Sequence, residues 1–158
     1  MGGITYIKTY QGWSYLASVL DLSLKQVVGW ALSKHPNAQL SKDALQSAIS
    51  RHQPNTNKLM FHSDQGVQYC ANMFTQYCNS KNIIQSMSRR GNCWGNAVME
   101  RFFRSLKTER LNYQSFANHQ EVVDNVESYI YFYNYKRIHS AIGYLTPAQK
   151  TAELEKVT

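Results

Sequence analysis

Along the first thirty-odd residues, apolar and β-branched positions come in three runs separated by short polar turns. Ile4–Thr9 mixes apolar, β-branched and polar residues in the manner of a half-buried strand. Gln11-Gly12 reads as a turn, and Trp13–Leu22 is a longer run of apolar, aromatic and β-branched residues that predicts a second strand. After the short connection Ser23–Gln26, Val27–Leu32 predicts a third. Connections this short require an antiparallel meander.

The period then lengthens. Leu40, Ala44, Leu45, Ala48 and Ile49 recur at helical spacing, with Ser41 as the expected cap and an end near His52. Pro54–Asn57 reads as loop, Lys58–His62 as a short strand and Ser63–Gly66 as a turn. Asn72–Ser80 predicts a helix with Met73, Phe74 and Tyr77 on one face, and Ile83–Met87 a further strand. Strand–helix–strand order implies parallel pairing through a right-handed crossover. Ser88–Gly95 reads as a cationic loop, and Asn96 to about Leu111 as a strong helix. Helical spacing through Val122, Val126, Tyr129 and Ile130 predicts another helix over His119–Tyr135, and Thr146-Pro147 opens a last one. With no repeat, low-complexity tract or linker, residues 1–158 read as one α/β domain. Three antiparallel strands followed by helix, strand, helix, strand and helix is the order of an RNase H-like domain, although other α/β folds come close to it.

Charge narrows the choice of partner. A formal net charge of +7 and a pI near 9.4 favour polyanions, nucleic acid foremost. The cations cluster: Arg89, Arg90, Arg101, Arg104, Lys107 and Arg110 fall close together, and Lys136, Arg137 and His139 form a second group. Cys70, Cys78 and Cys93 are odd in number and lack a CxxC pair, which favours neither a disulfide framework nor a zinc site. No apolar run reaches the roughly 18 residues of a membrane span and no signal peptide opens the chain, so a soluble, intracellular (cytoplasmic) protein is expected.

Two carboxylates stand apart. Asp64 follows a short apolar strand, where α/β proteins place ligands; Asp and Gly are equally common there as ordinary turn residues. Glu100 lies on the strong helix, on a face shared with Asn96, Arg104 and Lys107, while Val98, Met99, Phe102 and Leu106 form the apolar stripe. Taken singly, Glu100 reads as well as a surface glutamate. Together, one carboxylate at a strand end and one on a later helix can converge on a hard cation.

The ordered motifs Ile4-Thr5-Tyr6-Ile7, Gly12-Trp13-Ser14-Tyr15-Leu16-Ala17, Val27-Val28-Gly29-Trp30, His62-Ser63-Asp64-Gln65-Gly66, Asn96-Ala97-Val98-Met99-Glu100-Arg101-Phe102-Phe103, Ser105-Leu106-Lys107-Thr108-Glu109, Tyr133-Asn134-Tyr135-Lys136-Arg137-Ile138-His139-Ser140 and Gly143-Tyr144-Leu145-Thr146-Pro147 span the chain. In these the sequence resembles the integrase core (DDE-type) of insertion-sequence transposases, relatives of retroviral integrases, and the 35 residues between Asp64 and Glu100 match that family's spacing. The resemblance implies an RNase H-like fold with a mixed five-stranded sheet flanked by helices. It implies metal-dependent cleavage and transfer of DNA strands, with Mg²⁺ or Mn²⁺ held by an Asp-Asp-Glu triad. Asp64 maps to the second member and Glu100 to the third. The first normally stands directly before Ile-Thr-Tyr-Ile, where this chain has Gly3, so weak metal binding and little activity are expected. The opening Met1-Gly2-Gly3 looks like a truncated or engineered start, or that of a natural defective copy, and the family's N-terminal helix-turn-helix region is expected to be absent. Gly95 stands where the family usually has Asp, a cap for the Glu100 helix. Asp21 is assigned a turn role.

DNA is the partner implied, with Arg89, Arg90, Arg104, Lys107 and Arg137 as phosphate contacts and a homodimer as the expected assembly. His62 is left between orienting a ligand and packing, and His139 between phosphate contact and packing. Two rival functions remain: an inactive nucleic-acid-binding or dimerisation module, and an RNase H-like nuclease acting on hybrids.

Overall fold

The computed structural model describes residues 1–89 and 97–156. The meander is present as β1 (Gly2–Thr9), β2 (Gly12–Leu20) and β3 (Val27–Ser33), antiparallel in the order β1-β2-β3. The ladder slips between Val19 and Leu20, so β2 stops at Leu20 rather than Leu22. Asp21 turns the chain there, its Oδ1 accepting the N–H groups of Ser23 and Leu24 at 2.9 Å each.

The chain continues through α1 (Ala38–His52), β4 (Met60–Ser63), α2 (Val67–Cys70), α3 (Asn72–Ser80) and β5 (Ile84–Met87). β4 and β5 pair in parallel, as the crossover requires. Among the described residues the five strands thus form two hydrogen-bonded pieces, of three strands and two, with β4 packed beside β1. Then come α4 (Ala97–Glu109), α5 (His119–Tyr135) and α6 (Pro147–Glu155). The expected loop over Ser88–Gly95 lies outside the described residues from Arg90 on, as does Asn96.

The helix starts follow cap chemistry. Asn37, not Ser41, caps α1: its side chain accepts from Leu40 N–H, while Ser41 is buried inside the helix. Asn118 caps α5 by accepting from Glu121 N–H, and the Glu121 carboxylate accepts in turn from Ala117 N–H. Thr146 and Gln149 form a reciprocal capping box behind Pro147.

The three-stranded sheet is covered on both faces. Alternation along β2 sends Leu16 and Leu20 to one side, where Ile7, Phe102, Leu106, Val126 and Tyr129 meet them. Ala17 and Val19 face the other side, against Leu40, Leu45, Phe61 and Phe74. α1 presses so closely on β3 that a Cβ at Gly29 would lie 2.5 Å from Ala44 O and Ala48 N. On α3 the buried residues are Phe74 and Cys78, while Met73 is 44% exposed, so the inward face sits one residue on from the expected one. No helix among the described residues is long and apolar enough to cross a membrane.

Candidate active site

Asp64 emerges where β4 ends. Phe61 and Ser63 point inward from this strand, and the chain turns immediately afterwards. Asp64 is exposed and shapes the turn: its Oδ1 accepts Gly66 N–H at 2.8 Å, while Ser63 Oγ donates to Asp64 O at 2.9 Å. A Cβ at Gly66 would stand 2.8 Å from the same carboxylate oxygen, so the missing side chain keeps that oxygen clear. Burial, with the Asp64 carboxylate nearby, pushes the Tyr69 phenol well above its usual range. The turn reading and the ligand reading of Asp64 are compatible, because the turn bond occupies Oδ1 and, among the described residues, leaves the second carboxylate oxygen without a hydrogen bond.

Glu100 is set in the first turn of α4. Met99, Phe102 and Leu106 are buried beneath it, and Glu100, Arg101 and Arg104 are exposed. Residues three and four apart share a helix face, which stacks Glu100, Arg104 and Lys107. Lys107 is half-buried, with its ammonium 5.2 Å above the ring of Tyr6, which meets Trp13 edge-to-face at 5.3 Å. Arg89 is exposed before the undescribed segment, and Arg90 lies outside the described residues.

The first residues of β1 stand between the two carboxylate-bearing elements. A Cβ at Gly2 would be 2.3 Å from Phe61 Cζ, three residues before Asp64. A Cβ at Gly3, on the opposite face of the strand, would be 2.5 Å from Met99 Cγ and 3.2 Å from Phe103 Cε2, one residue before Glu100 and three after it. The position expected to carry the first acidic ligand therefore faces the helix of Glu100, and Met99 and Phe103 fill its side-chain space. Among the described residues no three His, Cys, Asp or Glu side chains gather to hold a metal. The two carboxylates have the hard oxygen donors a divalent cation prefers, and position 3 adds none to them.

Arg137 is committed elsewhere. Its Nε donates to both Glu109 carboxylate oxygens at 2.9 and 3.0 Å, and Nη1 lies 3.3 Å from His139 Nδ1. Tyr129 donates its O–H to the same Glu109. His139 is buried with Nε2 3.3 Å from Tyr133 O, so it serves packing; burial and then the Arg137 charge lower its pKa. His62 Nδ1 bonds Ser86 Oγ at 2.9 Å across the β4–β5 pair, and its Nε2 is buried without a hydrogen-bond partner among the described residues. Phe132 and Tyr135 are partly exposed, whereas Tyr133 is core.

Nothing in the spacing of the chain singles out Glu109 as the anchor of Arg137. The signal for it lies in the motif Ser105–Glu109, whose acid ends α4 opposite the basic motif 136–139.

Residues 2–93 match the integrase core domain family, and residues 81–147 match a second family of the same description. The chain is 41% identical over 149 residues to the transposase InsF for insertion sequence IS3A of Escherichia coli, an alignment covering 94% of this chain and 51% of that protein. It thus spans about half the length of the curated relatives it matches. Among solved structures it is similar to the catalytic core domain of BIV integrase, with a TM-score of 0.71 and 20% identity over 99% of this chain and 95% of that one. It is also similar to the HTLV-2 integrase catalytic core domain in complex with magnesium (dimeric form), with a TM-score of 0.69 and 18% identity over 94% and 91%. The fold is that of these RNase H-like cores.

Proposed function

The chain belongs to the integrase core domain family, and from that premise we propose that it is the catalytic core of a DDE-type transposase that cleaves and joins DNA strands. The observation that carries the reading is the packing of β1's first residues against Phe61 on one side and Met99 on the other, which seats one strand between the Asp64 element and the Glu100 element.

Asp64 and Glu100 would hold Mg²⁺ or Mn²⁺. When bound, divalent cations stabilise the attacking and leaving oxygens of an in-line displacement. Water is the first nucleophile and a DNA 3′-hydroxyl the second, and no covalent protein intermediate forms. Arg104 and Lys107 lie one and two turns beyond Glu100 on its face and bind the backbone beside the reacting bond. The Tyr6 ring lies against the Lys107 ammonium, and this cation–π contact narrows the rotamers of the side chain. Arg89 and Arg90, which precede α4 in the sequence, are the further phosphate contacts of this reading.

Gly3 supplies no carboxylate, so the chain binds metal weakly and turns over slowly. A Mn²⁺-dependent nicking and strand-transfer assay on labelled DNA, run on this chain and on Gly3→Asp, tests the assignment. Activity confined to Gly3→Asp supports it. Full activity in the unaltered chain refutes the role given to position 3.

The apolar filling of the Gly3 position by Met99 and Phe103 favours a second reading, a DNA-binding module without turnover. That reading predicts salt-dependent duplex binding and silence in both assays, even after Gly3→Asp. For assembly we propose a dimer, checked by sedimentation; a mass of one chain at high concentration refutes it.

A further inference from the structure

Beyond the Glu100 face, the flank of α4 opens on a cavity of about 510 Å³ whose lining includes Lys25, Arg101, Arg104, Arg137, His139 and Ser140. Four cations meet here from three separate parts of the chain. Lys25 comes from the β2–β3 turn, where its backbone is left-handed (φ 58°). Arg101 and Arg104 come from α4, and Arg137 from the segment after α5. The ion pairs among the described residues are Arg137–Glu109 and Lys150–Glu153, so Lys25, Arg101 and Arg104 have no acidic partner among them. The same clustering lowers the pKa of His139: burial acts first, and the charges of Arg137 and Lys25 both oppose its protonation. Three uncompensated cations around one hollow repel each other unless an anion joins them.

We propose that this cavity is a second phosphate-binding site, taking a backbone phosphate of the DNA strand opposite the one at Asp64 and Glu100. The assignment rests on the strand-transfer reading above and extends it. Successive helix residues are about 100° apart, so Arg101 projects roughly a quarter-turn away from Glu100, with Arg104 between them. On a helix about 10–12 Å in diameter with its side chains, directions about 100° apart are separated by roughly 8–9 Å at the surface, and the long arginine stems add reach. That is close to the ~12 Å width of the major groove of B-DNA, so one duplex can offer a phosphate to each face. Arg104 stands at the ridge between the two faces. Arg137 is held by Glu109 and His139 and sets the cavity wall.

The test is duplex and single-strand binding by fluorescence anisotropy in metal-free buffer across a salt series. The variants are Lys25→Asn (Asn tolerates the left-handed backbone), Arg101→Gln, and the two combined, each first matched to the unaltered chain in Tm. Each lost phosphate contact flattens the plot of log K against log salt by about 0.9 and weakens binding about eightfold at 0.1 M salt. Because the site takes one phosphate, the double variant should lose about 0.9 of slope on a duplex, each single variant part of that, and little should change on the corresponding single strand. Equal loss on single strands overturns the opposite-strand assignment. Unchanged duplex binding overturns the site; if Arg104→Gln with Lys107→Gln still weakens binding, the strand-transfer reading survives. Failure of the unaltered chain to bind duplex at all overturns both.

Discussion

Restoring a carboxylate by Gly3→Asp makes opposing demands on the molecule, and their sum has a definite sign under each condition. The new Cβ would lie 2.5 Å from Met99 Cγ and 3.2 Å from Phe103 Cε2. Both contacts are to side chains, so Met99 can swing aside, and overpacking of this kind costs about 1–3 kcal/mol. Replacing a strand glycine returns about 0.5–1 kcal/mol of backbone entropy. A third carboxylate near Asp64 and Glu100 adds like-charge repulsion. Without metal the variant should therefore be less stable by about 1–2 kcal/mol, a fall in Tm of roughly 2–8 °C for a chain of this size. Metal reverses the sign. A ligand at a hundred times its Kd stabilises by about 2.7 kcal/mol, or roughly 5–11 °C. Differential scanning fluorimetry with EDTA and with Mn²⁺ should show Gly3→Asp below the unaltered chain in the first and above it in the second. An equal Mn²⁺ response in both proteins would refute the reasoning, and so would a variant that ignores Mn²⁺.

Glu109→Gln removes the ion pair to Arg137 and weakens the acceptor of the Tyr129 hydroxyl; it should cost about 1–3 kcal/mol, with Tyr129→Phe costing less, both read as loss of Tm. Gly29→Ala drives a methyl to within 2.5 Å of α1 backbone atoms, which cannot swing aside as a side chain does, so a drop in Tm of roughly 2–12 °C is expected and an unchanged Tm would count against the close approach. The pKa values of His119 and His139 are lowered in the folded state, each first by burial. The unfolded chain binds protons more readily below pH 6.5, so their contribution is complete above 6.5 and is lost as pH falls below it. Tm should drop between pH 7 and 5.5, and His119→Gln should flatten that slope; a Tm that holds constant over the interval contradicts the sign.

Much of this was legible because the signals are local. Period-two and period-3.6 patterns place β1 to β3, α3 and α5 close to their observed bounds, since burial of one face selects both the pattern and the element. The cap of α1 was misassigned because Ser41 and Asn37 are both capping types, and only the backbone shows which stands outside the first turn. On α3 the apolar residues span more than one face, so spacing alone placed Met73 inside. Asp64 and Glu100 were legible as a pair through their motifs. The ion pair of Arg137 was not, because Glu109 lies 28 residues away along the chain and meets it only after α4 and α5 have packed. The Lys25 side of the basic cavity was hidden for the same reason.

The division of the sheet into a three-stranded and a two-stranded piece bears on how the molecule breathes. Asp64 follows the smaller piece, whose two short strands share a parallel ladder with each other and rest on β1 by side-chain packing. Amide protons in β4 and β5 should exchange by a lower-energy opening than those of β2, which is bonded on both edges. Glu100 rides on the opposite layer, anchored through Phe102 and Leu106. A local opening can thus withdraw one carboxylate while the other stays in place, so a ligand that bridges both would slow exchange in β4 and β5 most of all.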